Sequence, residues 1–330
     1  MKNNILYFVA VLCLIGTYSC DKDDDSPSIV VKSESITMGA GYVNDVYYSL
    51  SNGVITEVSR LNWDIAFSVD AMSSSIIIND GAGVVLKEYP TTDGWNWTDP
   101  IDTIGYSEWN MLYNSDETWE DGAFGQNASG HPNYGWGEYN MTTHNVEGVA
   151  MYIVELPNDE FKRIFIEIKD ATEKKYIFKY SDVNGANEIS ETISFADLTS
   201  NYLYYSLQSE TVVADREPDA STWDLLFTNY ADNTINYLVT GVKHNIGVVA
   251  IDQDNTTDLT LNTYLESAFN ENITTIGYDW KEFDMGTYLY SIDPDRVYFA
   301  KDGNDNVYKI VFTGYEGSST GNINFDITGL

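Results

Sequence analysis

Residues 62–67 read Asn-Trp-Asp-Ile-Ala-Phe, and residues 222–227 read Thr-Trp-Asp-Leu-Leu-Phe. Successive side chains of a β-strand point to opposite faces of the sheet. The first stretch therefore predicts a strand with Trp63, Ile65 and Phe67 on a core-facing side. The Asp between them lies on the other side, where its carboxylate can accept turn or ladder-end hydrogen bonds. We interpret both stretches as structural.

Four further blocks recur around these stretches in the same order along the chain. They are residues 47–50 and 204–207, 83–85 and 247–249, 104–106 and 276–278, and 152–154 with 162–164 against 298–300 with 308–310. Repetition of ordered blocks is the signature of a duplicated structural unit. The sequence predicts two tandem units, residues 33–193 and 194–330.

The composition of both units favours β-structure. Short runs rich in Val, Ile, Tyr and Phe alternate with hairpin turns such as Asn52-Gly53, Asn184-Gly185 and Asp302-Gly303. Residues 302–306 look like part of a calcium loop but lack its closing Glu, so a hairpin turn is preferred. Helical periodicity is weak throughout, and residues 258–269 are the best candidate. We expect an all-β fold with two domains.

The amino terminus predicts export. Lys2 precedes an apolar run over residues 5–15, which is shorter than the roughly 20 residues that span a bilayer. Residues 17–20 form a loose lipobox ending at Cys20, the predicted lipidation site. Cys13, the other cysteine, lies inside the predicted signal peptide of residues 1–19. An ordinary signal peptide cut nearby is the alternative. Residues 20–32 form the predicted acidic tether.

A formal net charge of −34 excludes nucleic acid as a natural partner, because the chain repels phosphate backbones. The sequence also lacks the residue patterns of common catalysts. It contains no Gly-rich phosphate loop, no His-Glu-x-x-His and no serine elbow, and no spacing among its acids singles out a pair. We expect a protein that is not an enzyme.

The order of blocks resembles the HmuY-like proteins, surface lipoproteins of the Bacteroidota. The features that resemble this family are residues 47–50 and 62–67, the closing strand pair at residues 307–312, and residues 321–325 near the end of the chain. The resemblance implies an all-β fold and attachment to the outer membrane with exposure at the cell surface. It also implies binding of haem or a related porphyrin for iron acquisition, and delivery to a TonB-dependent outer-membrane receptor. The founding member grips haem iron with two histidines, which no motif places here.

Length comparison indicates where a ligand could bind. Tyr106 and Tyr152 are separated by 46 positions, whereas Tyr278 and Tyr298 are separated by 20. We interpret the excess in the first unit as a binding-loop insert, because loops added to a rigid scaffold often bind ligands. Haem iron takes imidazole or thioether ligands within an aromatic slot. The candidate haem-iron ligands, the only metal ligands expected, are His131, His144, Met141 and His244. The candidate pocket aromatics are Tyr134, Trp136 and Tyr139.

Two alternatives to haem binding remain for the function of this protein. Exposed tryptophan faces stack on sugar rings, so a glycan-binding protein without haem affinity is one of them. The tryptophans considered are Trp95, Trp97, Trp109, Trp119, Trp136 and Trp280. The opposing interpretation of these tryptophans is that their side chains cover a β-core. The second alternative is a structural module that binds a partner protein.

Overall fold

The computed structural model describes residues 30–90, 96–233 and 237–330. Throughout these ranges the regular elements are strands and short 3-10 turns, and no α-helix occurs, which confirms the all-β prediction. The strands are β1 Val31–Thr37, β2 Asn44–Ser49, β3 Gly53–Ser59, β4 Ile65–Ser68, β5 Ile76–Ile78, β6 Val85–Glu88, β7 Met111–Leu112, β8 Gly137–Tyr139, β9 Val146–Gly148, β10 Met151–Glu155, β11 Phe161–Asp170, β12 Lys175–Asp182, β13 Ile189–Ser194, β14 Tyr202–Ser206, β15 Thr211–Val213, β16 Leu225–Asp232, β17 Tyr237–His244, β18 Val249–Gln253, β19 Lys281–Asp284, β20 Leu289–Ile292, β21 Val297–Lys301, β22 Val307–Tyr315 and β23 Asn322–Gly329.

The 3-10 turns connect these strands. Their bounds are Ala40–Tyr42, Asp80–Ala82, Tyr106–Glu108, Ala123–Gly125, Ala220–Thr222, Glu266–Ala268 and Gly317–Ser319. The helix candidate at residues 258–269 is therefore a loop with one 3-10 turn. The calcium-like residues 302–306 form the turn between β21 and β22, where the Asp302 carboxylate accepts the Asn304 and Asn306 backbone N–H groups, each at 2.9 Å.

Four sheets form two modules with the same strand order. In the first module, a sheet contains the path β13-β12-β11-β10-β6, and it packs on a sheet ordered β15-β14-β4-β5. In the second module, the corresponding orders are β1-β23-β22-β21-β18 and β3-β2-β16-β17. The evolutionary duplication remains a prediction; what the structure shows is this match of topology.

The second module is completed by the amino-terminal strands. β1 pairs with β23 in antiparallel register, and β2 pairs with β16, although β1 to β3 precede the first module along the chain. The first module is continuous, because β13 and β14 pair with its own strands β12 and β4. The modules therefore consist of residues near 60–215, and of residues near 31–59 together with 216–330. These bounds differ from the predicted units 33–193 and 194–330, and β1 begins inside the predicted tether of residues 20–32.

The repeated Asp residues join these strands. Asp64 Oδ2 accepts the Leu207 backbone N–H at 2.7 Å, and Asp224 Oδ2 accepts the Leu50 backbone N–H at the same distance. Each carboxylate thus links residues that belong to different predicted sequence units but to the same structural module. The prediction that Asp64 accepts ladder-end hydrogen bonds is confirmed. Such bonds satisfy backbone donors that burial would otherwise leave unpaired.

The buried hydrophobic residues of the described chain form two large clusters and three smaller ones. One large cluster fills each module, and smaller clusters pack between the modules. Trp63 belongs to a smaller cluster together with Ala66, whereas Ile65 and Phe67 face the interior of the first module. The expectation that Trp63 shares their face is wrong, because β4 begins only at Ile65. Trp119 packs against both smaller clusters, and so bridges the modules.

Candidate functional site: two histidines beside Tyr139

The hairpin β8–β9 begins at a buried tryptophan. Trp136 is fully buried in the first module's core, and its Nε1–H donates to the Ser74 carbonyl at 2.9 Å. β8 then pairs with β9, which also pairs with β11 of the main sheet. The hairpin is therefore fixed at its base on the sheet. Trp136 is a core residue, which leaves it no exposed ring face for the pocket wall that the sequence suggested.

The tip of this hairpin places His144. The Asn140 side-chain oxygen accepts the Thr142 and Thr143 backbone N–H groups at 2.8 and 3.2 Å, and the His144 N–H donates to the Asn140 carbonyl at 2.8 Å. His144 has a φ of 62°, a left-handed conformation in which Asn, Asp and His are enriched among non-glycine residues. These bonds fix the backbone of the tip and leave the imidazole exposed.

A neighbouring turn brings His131 to the same surface. The Tyr139 N–H donates to the Pro132 carbonyl at 2.8 Å, which holds the turn against β8. The His131 ring lies 5.3 Å from the Tyr139 ring, and the His144 ring lies 6.0 Å from it. The structure therefore brings together both histidines that the sequence suggested, with Tyr139 in contact with each.

Each imidazole uses one ring nitrogen internally. His131 Nδ1 lies 3.2 Å from the Tyr134 hydroxyl, and His144 Nδ1 lies 2.7 Å from the Tyr139 hydroxyl. When Nδ1–H donates to the phenol oxygen, Nε2 presents its lone pair outward. Metal-binding histidines usually donate their second ring N–H in this way, because that bond fixes the tautomer and the ring orientation. In that tautomer, Nε2 of each imidazole would be the nitrogen able to coordinate a metal ion.

The remaining ligand candidates lie in contrasting surroundings. Met141 is 70% exposed at the tip of β8–β9, close to His144 in the chain. His244 is 1% exposed, and its Nε2 and Nδ1 lie 2.7 and 3.2 Å from the Asn272 and Asn245 carbonyl oxygens. Burial lowers the pKa of the His244 imidazole below its usual value. Because the ring is buried with a carbonyl oxygen beside each nitrogen, His244 lacks the accessible nitrogen that haem iron requires.

The second module contains an equivalent hairpin that sequence comparison missed. Residues 136–144 read Trp-Gly-Glu-Tyr-Asn-Met-Thr-Thr-His, and residues 280–288 read Trp-Lys-Glu-Phe-Asp-Met-Gly-Thr-Tyr. Trp280 is also buried and precedes the hairpin β19–β20. The Tyr288 N–H donates to the Asp284 carbonyl at 2.7 Å, and Tyr288 has a φ of 58°. Shared Trp, Glu, Met and Thr at constant spacing was the signal that could have revealed this match.

This match moves the length difference to another part of the first module. Val85 and Trp136 are separated by 51 positions, and Val249 and Trp280 by 31. From the tryptophan to Tyr152 or Tyr298 the spacings are 16 and 18 positions. The histidine hairpin is therefore common to both modules, and the extra residues precede Trp136. What distinguishes the first hairpin is its side chains.

Most of the tryptophans considered for sugar stacking are used internally. Trp97, Trp136 and Trp280 are buried, Trp109 and Trp119 are half-buried, and Trp95 lies outside the described residues. The Trp119 Nε1–H donates to the His244 carbonyl at 2.9 Å. In the described ranges, no cluster of three or more His, Cys, Asp or Glu side chains could hold a metal ion. No helix in these ranges is long and apolar enough to cross a membrane.

Comparison with known proteins gives distant likenesses in structure. No family model matches the chain, and no curated protein matches it. Apo PinO from Porphyromonas gingivitis is 11% identical, with a TM-score of 0.35, over 91% of this chain and 97% of that chain. A protein from Bacteroides fragilis assigned as a lipoprotein is 14% identical, with a TM-score of 0.22, over 57% of this chain and 90% of that chain.

A third solved structure is an HmuY-like protein from Bacteroides vulgatus assigned as heme-binding. It is 14% identical, with a TM-score of 0.23, over 50% of this chain and 90% of that chain. At these sequence identities and TM-scores, the ligand and the lipid attachment named for these proteins describe those proteins alone.

Proposed function

We propose that this protein binds haem, or a related porphyrin, at the hairpin β8–β9. The observation that supports this most strongly is the pair of exposed imidazoles, His131 and His144, each with Nδ1 at a tyrosine hydroxyl. Haem iron accepts imidazole nitrogen as an axial ligand. The exposed thioether of Met141 on the same tip is a further ligand of the type that iron accepts.

The chemistry proposed for this site is binding without catalysis. The site offers imidazoles, phenols and a thioether, and His131 and His144 are held by Tyr134 and Tyr139. Because the two tyrosine hydroxyls hold the two histidines in place, we assign the protein to ligand capture and not to an enzymatic reaction. A captured porphyrin would be transferred to an outer-membrane receptor of the TonB-dependent type, the partner that the HmuY-like resemblance implies.

Haemin titration tests the proposed ligand. Ferric haemin added to the purified protein should shift the Soret band and saturate at one equivalent, because only one of the two matched hairpins has histidines. An unchanged Soret band at micromolar protein would contradict the proposal. Saturation at two equivalents would assign binding to a feature that both modules share.

The proposed location is the outer surface of the outer membrane. Cys20, which lies outside the described residues, would receive the lipid, and the acidic residues after it would lead to β1. Cys20→Ala should move the protein from the membrane fraction to the soluble exported fraction, since a lipid chain supplies about 0.8 kcal/mol per buried methylene. Fractionation followed by immunoblotting measures this. Protein that remains membrane-bound would show that another feature anchors it.

A further inference from the structure

Residues 96–106 line one side of an open surface cavity in the first module, and no histidine is among its described lining residues. They follow β6, and they are pinned to the main sheet at several points. The Lys87 ammonium donates to the Tyr106 carbonyl at 2.9 Å, and the Arg163 guanidinium donates to the Asp99 carbonyl at 3.1 Å. Trp97 Nε1–H donates to Glu188 at 2.8 Å. Trp97, Asp99 and Tyr106 are therefore held against the first module beside the cavity.

The cavity has the size and composition of a ligand site. Its volume is about 820 Å³, within the roughly 300–1,000 Å³ typical of small-molecule pockets. Tyr106 and Phe161 form one corner, with ring centroids 5.3 Å apart and planes at 86°. The Phe161 side chain is 37% exposed. The other lining residues are Pro100, Ile101, Thr103, Asp182, Val183 and Asn184.

Polar groups face this aromatic corner from one turn. The Asp182 carboxylate accepts hydrogen bonds from Lys162 at 2.7 Å and from Asn187 at 2.8 Å. The bond from Lys162 lowers the pKa of Asp182, so the carboxylate stays an oriented, ionised acceptor. Asn184 is exposed on the same turn and presents an amide. A carboxylate and an amide close together suit a ligand with adjacent hydroxyl groups.

We propose that this cavity binds a neutral saccharide. A sugar ring has an apolar face of C–H groups that packs on an aromatic ring such as Phe161, while its hydroxyls bond to polar groups such as Asp182 and Asn184. An anionic ligand is disfavoured, because the described lining has no basic residue and the chain has a net charge of −34. A wholly apolar ligand is disfavoured because it would desolvate Asp182.

An oligosaccharide array with neutral and acidic chains tests the ligand class, followed by calorimetric titration of the strongest neutral ligand. Phe161→Ala should weaken that binding at least about tenfold, and Asn184→Ala about threefold or more. The matched controls are Phe283→Ala, an aromatic of similar exposure in the second module, and Asn304→Ala, which lies in a hairpin turn there. Both controls should stay within about twofold of the original affinity.

Haemin titration of the same variants separates this site from the histidine hairpin. Phe161→Ala should bind haemin like the unaltered protein, and circular dichroism should show that it remains folded. The saccharide site is contradicted if no neutral oligosaccharide is retained at about 1 mM, or if a folded Phe161→Ala binds it unchanged. It is also contradicted if Phe161→Ala loses haemin, because the cavity would then hold the porphyrin.

Discussion

Two hairpins occupy the same place in the two modules and differ in chemistry. Each follows a buried tryptophan, and each has an exposed methionine, Met141 at 70% and Met285 at 72%. In both, the fourth residue after an Asn or Asp donates its N–H back to that residue's carbonyl. The backbone is therefore equivalent, and the proposed function depends on the residues it presents.

Two of the five positions at which these hairpins differ bear on the imidazole site. Tyr139 and His144 form a hydrogen-bonded pair in the first hairpin, and Phe283 and Tyr288 stand at the same positions in the second. Phe283 and Tyr288 contact through their rings, with centroids 6.4 Å apart, and Phe283 has no hydroxyl to orient an imidazole. A comparison of the two hairpins therefore provides an internal control for haem binding.

The largest expected effect is on the stability of fragments cut at different module boundaries. A fragment of residues 60–215 contains both sheets of the first module and should unfold cooperatively in urea. A fragment of residues 33–193 lacks β14 and β15, and so loses the buried Leu203, Tyr205 and Leu207 from its core. At about 1.5–3 kcal/mol for each side chain, the loss is comparable with the whole stability of a domain.

Circular dichroism during urea unfolding distinguishes these two fragments. If residues 33–193 unfold cooperatively and residues 60–215 are unfolded, the assignment of β14 and β15 to the first module is contradicted. The hairpins would then belong to modules divided near residue 194, as the block order alone suggests. Equal cooperativity in both fragments would show that β14 and β15 contribute little stability.

A transplant of side chains sharpens the comparison of the hairpins. Phe283→Tyr with Tyr288→His places the Tyr139–His144 pair on the second hairpin, whose backbone has the same bond and positive φ. Haemin stoichiometry should rise from one towards two equivalents, with the new site weaker because it has no counterpart of His131. Phe283→Tyr alone is the control and should leave the stoichiometry at one. Failure of the double variant to bind a second haemin would show that a single imidazole on this backbone is insufficient.

The smallest expected effect comes from one hydroxyl group. Tyr139→Phe removes the partner of His144 Nδ1 and keeps the ring, giving the first hairpin the residue type of the second. Loss of such a supporting bond typically costs ten- to a hundredfold in metal affinity, about 1.4–2.7 kcal/mol. Haemin titration measures this, with Tyr288→Phe as the matched control. An unchanged affinity would mean that the hydroxyl does not orient a ligand.

The sequence predicted the all-β class because turn residues and runs of Val, Ile, Tyr and Phe are local signals. It also predicted the hydrogen-bonding role of Asp64. The pairing of β1 with β23 could not be predicted, since it joins opposite ends of the chain and depends on complementary edges. The two histidines were found by type, but their contact through Tyr139 required the fold.

Errors in the predicted site also have physical reasons. Trp136 was predicted to line a pocket because it lies in the proposed binding-loop insert, yet its ring belongs to the core cluster that contains Phe124 and Tyr152. His244 was predicted from its turn-like neighbours, but its ring is buried at the end of β17. Burial depends on which sheet covers a residue, and local sequence does not contain that information.

The most direct measurement is haemin titration of two double variants, one for each hairpin. His131→Ala with His144→Ala removes both proposed iron ligands, and should abolish the Soret shift or weaken binding at least about a hundredfold, roughly tenfold or 1.4 kcal/mol for each ligand. Phe283→Ala with Tyr288→Ala alters the equivalent hairpin and should leave haemin affinity within about twofold. An unchanged Soret shift in the histidine variant, or an equal loss in both variants, would contradict binding at the first hairpin.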